Sequence, residues 1–265
     1  SWSLFQAGVR ITPEAHVKAL HHSQPAALVA LLLLAATPFA GPYDAWTNYR
    51  TVTINTTNTG GGANVAGAVN NYPLLVRLTN ASAATGSDVL AGAGAGGASL
   101  RFTDATGNTP LPFEIERWTT TAAEIWVRVP AISGNGTTSI RMFWGNNFAS
   151  QESNPSATFR TTDGYVGVWH MGNPVNGNAQ TGQRLNSANP GVNNATPVNF
   201  PANPTRAGMI GLSDTIRANT TPASGDHLTL GTLPVGTFPA GQATMSAWIQ
   251  KPAGTDGFKH AMSLG

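Results

Sequence analysis

Cysteine is absent from the 265 residues. That excludes disulfides, thiolate catalysis and cysteine-ligated metals. Charge is scarce as well: charged residues make up 10% of the chain, against roughly 25% in an ordinary soluble domain. Lysine occurs only at Lys18, Lys251 and Lys259. The net charge is +2, and the pI of about 9.2 reflects few charges rather than many positive ones. No basic run exists, so the electrostatic footprint of a nucleic-acid binder is missing. No Gly-x-Gly-x-x-Gly or Walker loop joins a strand to a helix, and no Gly-x-Ser-x-Gly elbow occurs. What is present instead is 30 glycines, 18 prolines, 32 threonines and 22 asparagines, with an apolar fraction of 41%. That fraction can build a core, which argues against general disorder. Thr, Asn, Gly and Pro are poor in helix interiors, so a helical bundle is excluded.

The longest apolar run is Ala26–Ala36, eleven residues without a charge. Arg10, Lys18, His21 and His22 precede it, and small residues follow as far as Ala40. This is the layout of a secretory signal. As a helix the run rises about 16 Å, too short for a hydrocarbon core of ~30 Å. Residues 1–40 are therefore assigned to a signal and upstream segment, with cleavage expected after Ala36 or Ala40, and are set aside from the fold. The expected location is exported: periplasmic, cell-surface or secreted.

From Trp46 the chain alternates. Thr51–Thr57, Tyr72–Thr79, Ser99–Asp104, Leu111–Trp118, Ala123–Pro130 and Ser139–Asn146 have strand periodicity, separated by Gly/Asn/Pro turns. Ala81–Ala98, rich in Ala, Gly and Ser, is expected to be a loop or a very short helix around Asp88–Leu90. Residues 151–164 form a connector. Tyr165–Met171, His227–Gly231, Thr244–Lys251 and Lys259–Gly265 are the strand candidates of a second unit. They are too few for a closed sandwich, so that unit is expected to be the front of a longer module. Gly172–Pro204 has almost no hydrophobic periodicity, and a loop of that length is usually functional or mobile. The expected fold is all-β: two consecutive antiparallel sandwich-like domains, 41–150 and 165–265, the second incomplete and of jelly-roll type.

Ala45–Ile54, Asn71–Leu78, Leu100–Trp118, Ala123–Ile132 and Ile140–Asn146 together resemble the bacterial family catalogued as domain of unknown function 2341. The resemblance spans Trp46–Asn147. It implies an envelope protein associated with MotA/TolQ/ExbB-type biopolymer transport, and it brings no catalytic residues. Gly167–Gly172, Gly225–Pro234 and Thr244–Pro252 are similar to concanavalin A-like, laminin-G-like lectin and glucanase modules. Such modules carry acids where this chain has Asn173 and Asn186, and a second acid beside the position of Asp226.

Glycoside hydrolysis needs two carboxylates, about 5–5.5 Å or about 6.5–9.5 Å apart. Glu114 and Glu116 are i,i+2 on one strand, about 7 Å apart on one face. The alternation places them on an outward polar face with Trp118, opposite Phe113, Ile115 and Arg117. Across the hairpin, Trp126 shares a face with Glu124 and Arg128. Exposed indoles stack on sugar rings, so Trp118, Trp126, Glu114 and Glu116 are the candidate ligand-binding residues. Trp169 and Trp248 are expected in the core. Asp226 is the candidate metal residue, for calcium, which needs six to eight oxygens. His170 and His227 are isolated in sequence, without zinc-ligand spacing. No other cofactor is expected.

Three functions fit these features. The leading one is an exported non-catalytic binding protein that recognises a polysaccharide or glycosylated partner, linked to an envelope transport complex. The second is a glycosidase whose acids lie further along the polypeptide. The third is a structural or adhesive envelope protein, or the periplasmic part of a proton channel.

Overall fold

The structure is a computed structural model describing residues 8–12, 41–60, 64–171, 182–200, 205–216, 225–231 and 244–249. The strands in chain order are β1 (Gly8–Thr12), β2 (Asn48–Asn55), β3 (Val69–Thr79), β4 (Arg101–Asp104), β5 (Phe113–Trp118), β6 (Ala122–Ile132), β7 (Thr137–Trp144), β8 (Thr196–Val198), β9 (Thr205–Ala207), β10 (Leu212–Asp214) and β11 (His227–Thr229). Two short helices, α1 (Ser87–Gly92) and α2 (Pro155–Thr158), complete the regular structure together with single turns. The chain is all-β and sandwich-like, in several sheets with no closed barrel among the described residues.

Two units divide the described residues. The first takes in the chain up to Tyr72, Leu78–Leu111 and Val129–Glu152. The second takes in Pro73–Arg77, Pro112–Arg128 and the chain from Ser153 onward. The cut falls inside β3 and β6, so these two units are interleaved in sequence.

The first unit holds an antiparallel sheet in the order β1-β2-β7-β4. In β2 the period-2 pattern sends Val52 and Ile54 inward, both fully buried. Each such burial stabilises by about 1.5–3 kcal/mol. The same face continues to Arg50, which is also buried. Its charge is met by Asp88 at 2.7 Å and by the Ala83 carbonyl at 2.8 Å, and its guanidinium lies over the Trp144 ring. Gly86, with φ of 111°, starts α1; a Cβ there would meet Leu78 Cδ2 at 2.8 Å. β1 pairs with β2 from Gly8↔Asn55 to Thr12↔Thr51. A stretch set aside on sequence grounds thus supplies a strand, while the apolar run Ala26–Ala36 lies outside the described residues.

In the second unit, β5 and β6 form a hairpin, β9 pairs with β10 and β8 with β11. Asn154 caps α2, its Oδ1 accepting from Ala157 N at 3.0 Å, with Pro155 in the first turn. Three sequence expectations are corrected. Tyr165–Met171 is not a strand; it makes a single bridge, Trp169↔Asn186. Residues 244–249 carry no strand, and Trp248 is 52% exposed rather than core. The long aperiodic stretch contains β8 and a bridge between Arg184 and Ala195. Lys259–Gly265 lies outside the described residues.

Candidate functional site

The hairpin β5–β6 carries Glu114, Glu116, Arg117, Glu124 and Arg128. β6 is the central strand of the order β3-β6-β5. Its apolar face is Ala123, Ile125, Val127 and Val129, all buried. Its other face holds Glu124, Trp126 and Arg128. Glu124 and Arg128 are also buried, and Trp126 is half-buried. The outward polar face expected from alternation is therefore covered.

The register explains part of the change. Glu114 pairs with Trp126 and Ile115 with Ile125, but Arg117 then pairs with Glu124 and Trp118 with Ala123. One extra residue, Glu116, is accommodated in β5. This is a bulge, and it reverses the side-chain alternation beyond it. Glu114, Glu116 and Arg117 consequently serve the polar face. Trp118 moves to the side of Ala123, away from the carboxylates it was expected to accompany.

The cover comes from later in the chain. His170 lies between the two glutamates, with Nε2 at 3.2 Å from Glu114 Oε2 and Nδ1 at 3.1 Å from Glu116 Oε2. Ser187 Oγ donates to Glu114 Oε1 at 2.7 Å, and Trp126 Nε1 donates to Glu116 Oε2 at 2.7 Å. Arg117 grips Glu124 through Nε at 2.6 Å and Nη2 at 2.8 Å. Arg128 and Arg160 converge on Asp163, at 2.8 Å and 3.0 Å from its Oδ2. The turn at Gly211, with φ of 56°, closes over the cluster; a Cβ there would lie 3.2 Å from Glu116 Oε1. The aromatic rings of Trp126, Phe159, Tyr165 and His170 pack on one another at centroid distances of 5.5–6.1 Å.

A neutral imidazole has one N–H and one lone pair. Here both ring nitrogens face carboxylate oxygens, so only the doubly protonated ring satisfies both contacts. Burial pulls the His170 pKa down. Hydrogen bonds to Glu114 and Glu116, with their charges, outweigh it and raise the value from 6.5 to about 9. The hydrogen bonds from Arg160 and then Arg128 hold Asp163 at about 2, below its ordinary 3.8. The cluster is a set of ion pairs with its partners in place. Hydrolysis needs an accessible acid and base on either side of a sugar; Glu114 and Glu116 instead share one buried cation.

Asn186 occupies the position at which the resemblance suggested an acid. Its Oδ1 accepts from Val168 N and Ala188 N, both at 3.1 Å. Its Nδ2 donates to the carbonyls of Val192 at 3.1 Å and Val166 at 3.4 Å. The residue is buried. A carboxylate could accept the first pair but would face the second pair oxygen to oxygen. The site therefore requires an amide. Asp226, next to β11 in the chain, is buried and is not without a partner. Among the described residues no group of three or more His, Cys, Asp or Glu could hold a metal ion.

Residues 96–171 match the model of a family described as domain of unknown function (DUF2341). The match covers well under half of the chain. It begins later than the resemblance read from motifs and runs on through Met171. The matched segment contains Glu114, Glu116, Trp126, Asp163 and His170 together, so hairpin and cover fall within it; Ser187 and Gly211 lie outside. No curated protein and no solved structure matches the chain.

His170 was the residue missed from sequence. Alternation does not separate a solvated pair of glutamates from a covered pair, and only a covered pair demands a cation.

Proposed function

We propose that this chain is an exported, non-catalytic binding protein of the bacterial envelope that recognises carbohydrate. The observation that carries the non-catalytic half is the closure of the Glu114–His170–Glu116 cluster. The i,i+2 glutamates, the pair the sequence singled out for acid–base work, are occupied by a buried imidazolium. The carbohydrate half draws on a sequence rich in Asn and Thr and poor in charge, and on the sequence resemblance of Gly167–Gly172 and Gly225–Pro234 to concanavalin A-like modules. Delivery to an ExbB-type transport complex is part of the same reading and follows from the family resemblance alone.

The experiment is a glycan array probed with the full chain, run beside a reducing-end assay on every glycan bound. Binding without release of reducing ends is the expected result. Release that survives Glu114→Gln and Glu116→Gln would place hydrolysis elsewhere in the chain. Absence of any bound glycan would remove the carbohydrate reading.

A further inference from the structure

A small hollow in the second unit lies between the turn Thr161–Gly164 and the loop 186–193, with a volume of about 80 Å³. Tyr165, Val166 and Val192 form its apolar walls, and Thr161, Asn189 and Asn193 bring polar groups to it. Its remaining lining is Gly164 and the Asn186 staple, so no charged side chain lines it.

The asparagines of this loop divide into two kinds. Asn186 spends its whole carboxamide on the backbone, as described above. Asn194 accepts from Asn186 N at 3.0 Å and donates to Gln183 at 3.3 Å. Asn189 and Asn193 do neither: among the described residues their carboxamides make no hydrogen bond, and neither does the Thr161 hydroxyl. The loop backbone that carries them is nonetheless held. Asn189 N donates to Asn186 O at 3.1 Å, Val192 N to Asn189 O at 3.0 Å, and Trp169 Nε1 to the Asn193 carbonyl at 2.9 Å. Asn193 itself has φ of 54°, in the left-handed region that asparagine tolerates. Two unspent amides from a held loop thus face one hydroxyl from the turn Thr161–Gly164, beside an aromatic ring.

We infer that this hollow is a subsite for one edge of a neutral sugar ring, bound through Asn189, Asn193 and Thr161 against Tyr165. The inference rests on the carbohydrate reading above and deepens it. A sugar hydroxyl both donates and accepts, and a carboxamide offers one group of each kind. Ring C–H groups need an apolar wall, which Tyr165 supplies. The uncharged lining selects against phosphates and uronates, because a buried anion needs a paired cation. The volume is well below the ~300–1,000 Å³ of sites that engulf a whole ligand, so the sugar binds end-on and the rest of the glycan stays in solvent.

The test uses saturation-transfer NMR on the full chain with the methyl glycosides of glucose, galactose, mannose and N-acetylglucosamine, and with the methyl glycoside of galacturonic acid, its carboxylate free, as the charged counterpart. Asn189→Ala combined with Asn193→Gly removes both amides, and glycine keeps the left-handed backbone. The expected result is binding of at least one neutral glycoside, weakened about tenfold or more in the double variant at unchanged melting temperature. Thr161→Val, on an exposed turn, repeats the test if the double variant does not fold. Undiminished binding in the variants would overturn the subsite and leave carbohydrate recognition standing. Failure of the wild-type chain to bind any neutral glycoside would overturn both. Tighter binding of the uronate than of galactoside would overturn the neutral-ligand assignment.

Discussion

His170 holds two carboxylates at once, and replacing it by glutamine separates that role from simple hydrogen bonding. A glutamine amide can donate to Glu114 or to Glu116, but its oxygen then faces the other carboxylate. Breaking a buried pair leaves an uncompensated charge and costs about 3–5 kcal/mol. We expect His170→Gln to lower stability by that order in urea unfolding at neutral pH; a loss below about 1 kcal/mol would mean that the cluster is more hydrated than its burial indicates. Asn186→Asp is the second residue-scale prediction. It replaces two donated hydrogen bonds, to Val166 O and Val192 O, by oxygen–oxygen contacts. The expected loss is about 2–3 kcal/mol, and a gain in calcium-dependent melting temperature would instead revive a cation site at this position.

At the scale of elements, the edge of β2 is the exposed liability. β7 covers one side of it and β1 the other. A chain beginning at Gly41, the form that signal cleavage after Ala40 would leave, lacks β1 and leaves the N–H and C=O groups of Thr51–Asn55 that pair with it open. Such edges template strand addition. We expect the shortened chain to self-associate with concentration in size-exclusion chromatography and Thr51→Lys to suppress this; a monodisperse shortened chain would show that β2 is protected without β1. Elements also mark how far local pattern reaches. β2, β3, β5, β6 and β7 lie where periodicity placed them, because each repeats its pattern over enough residues, whereas the Ala/Gly/Ser-rich stretch around α1 left loop and short helix open. The faces of the β5–β6 hairpin were not legible beyond Ile115. A bulge at Glu116 inverts the alternation, and nothing in Phe-Glu-Ile-Glu-Arg-Trp distinguishes a regular strand from a bulged one. Trp118 was consequently grouped with the wrong residues, whereas Trp126, paired with Glu114 on the regular side of the bulge, donates to Glu116.

At the scale of the whole molecule, the ion pairs predict a stability window in pH. The folded pKa of His170 is raised to about 9 from 6.5, so its contribution is complete below about 6.5 and is lost as pH climbs through about 9. For Asp104, burial would raise the pKa, but hydrogen bonds from Thr106 and the 108–109 backbone outweigh it and lower the value to about 2; Asp163 is also lowered to about 2. Their contributions are complete above about 3.8 and are lost as pH falls through about 2. Maximum stability is therefore expected between about pH 4 and 6.5. Chemical denaturation across pH 3–10 measures it, and His170→Gln should flatten the alkaline limb alone. An alkaline limb unchanged in that variant would assign the loss to another group.

Composition and alternation determined that the chain is all-β, poor in charge and without cysteine chemistry, because these depend on residue type and on a period of two that each strand carries by itself. Which face of the hairpin is wet was settled by contacts across long sequence separations. His170 meets Glu114 over 56 residues and Ser187 meets it over 73. A carboxylate on an alternating strand looks the same whether water or an imidazolium stands over it. Only the folded chain brings the imidazolium there, and the cost of burying charge without a partner then ties Glu114, Glu116 and His170 into a single unit.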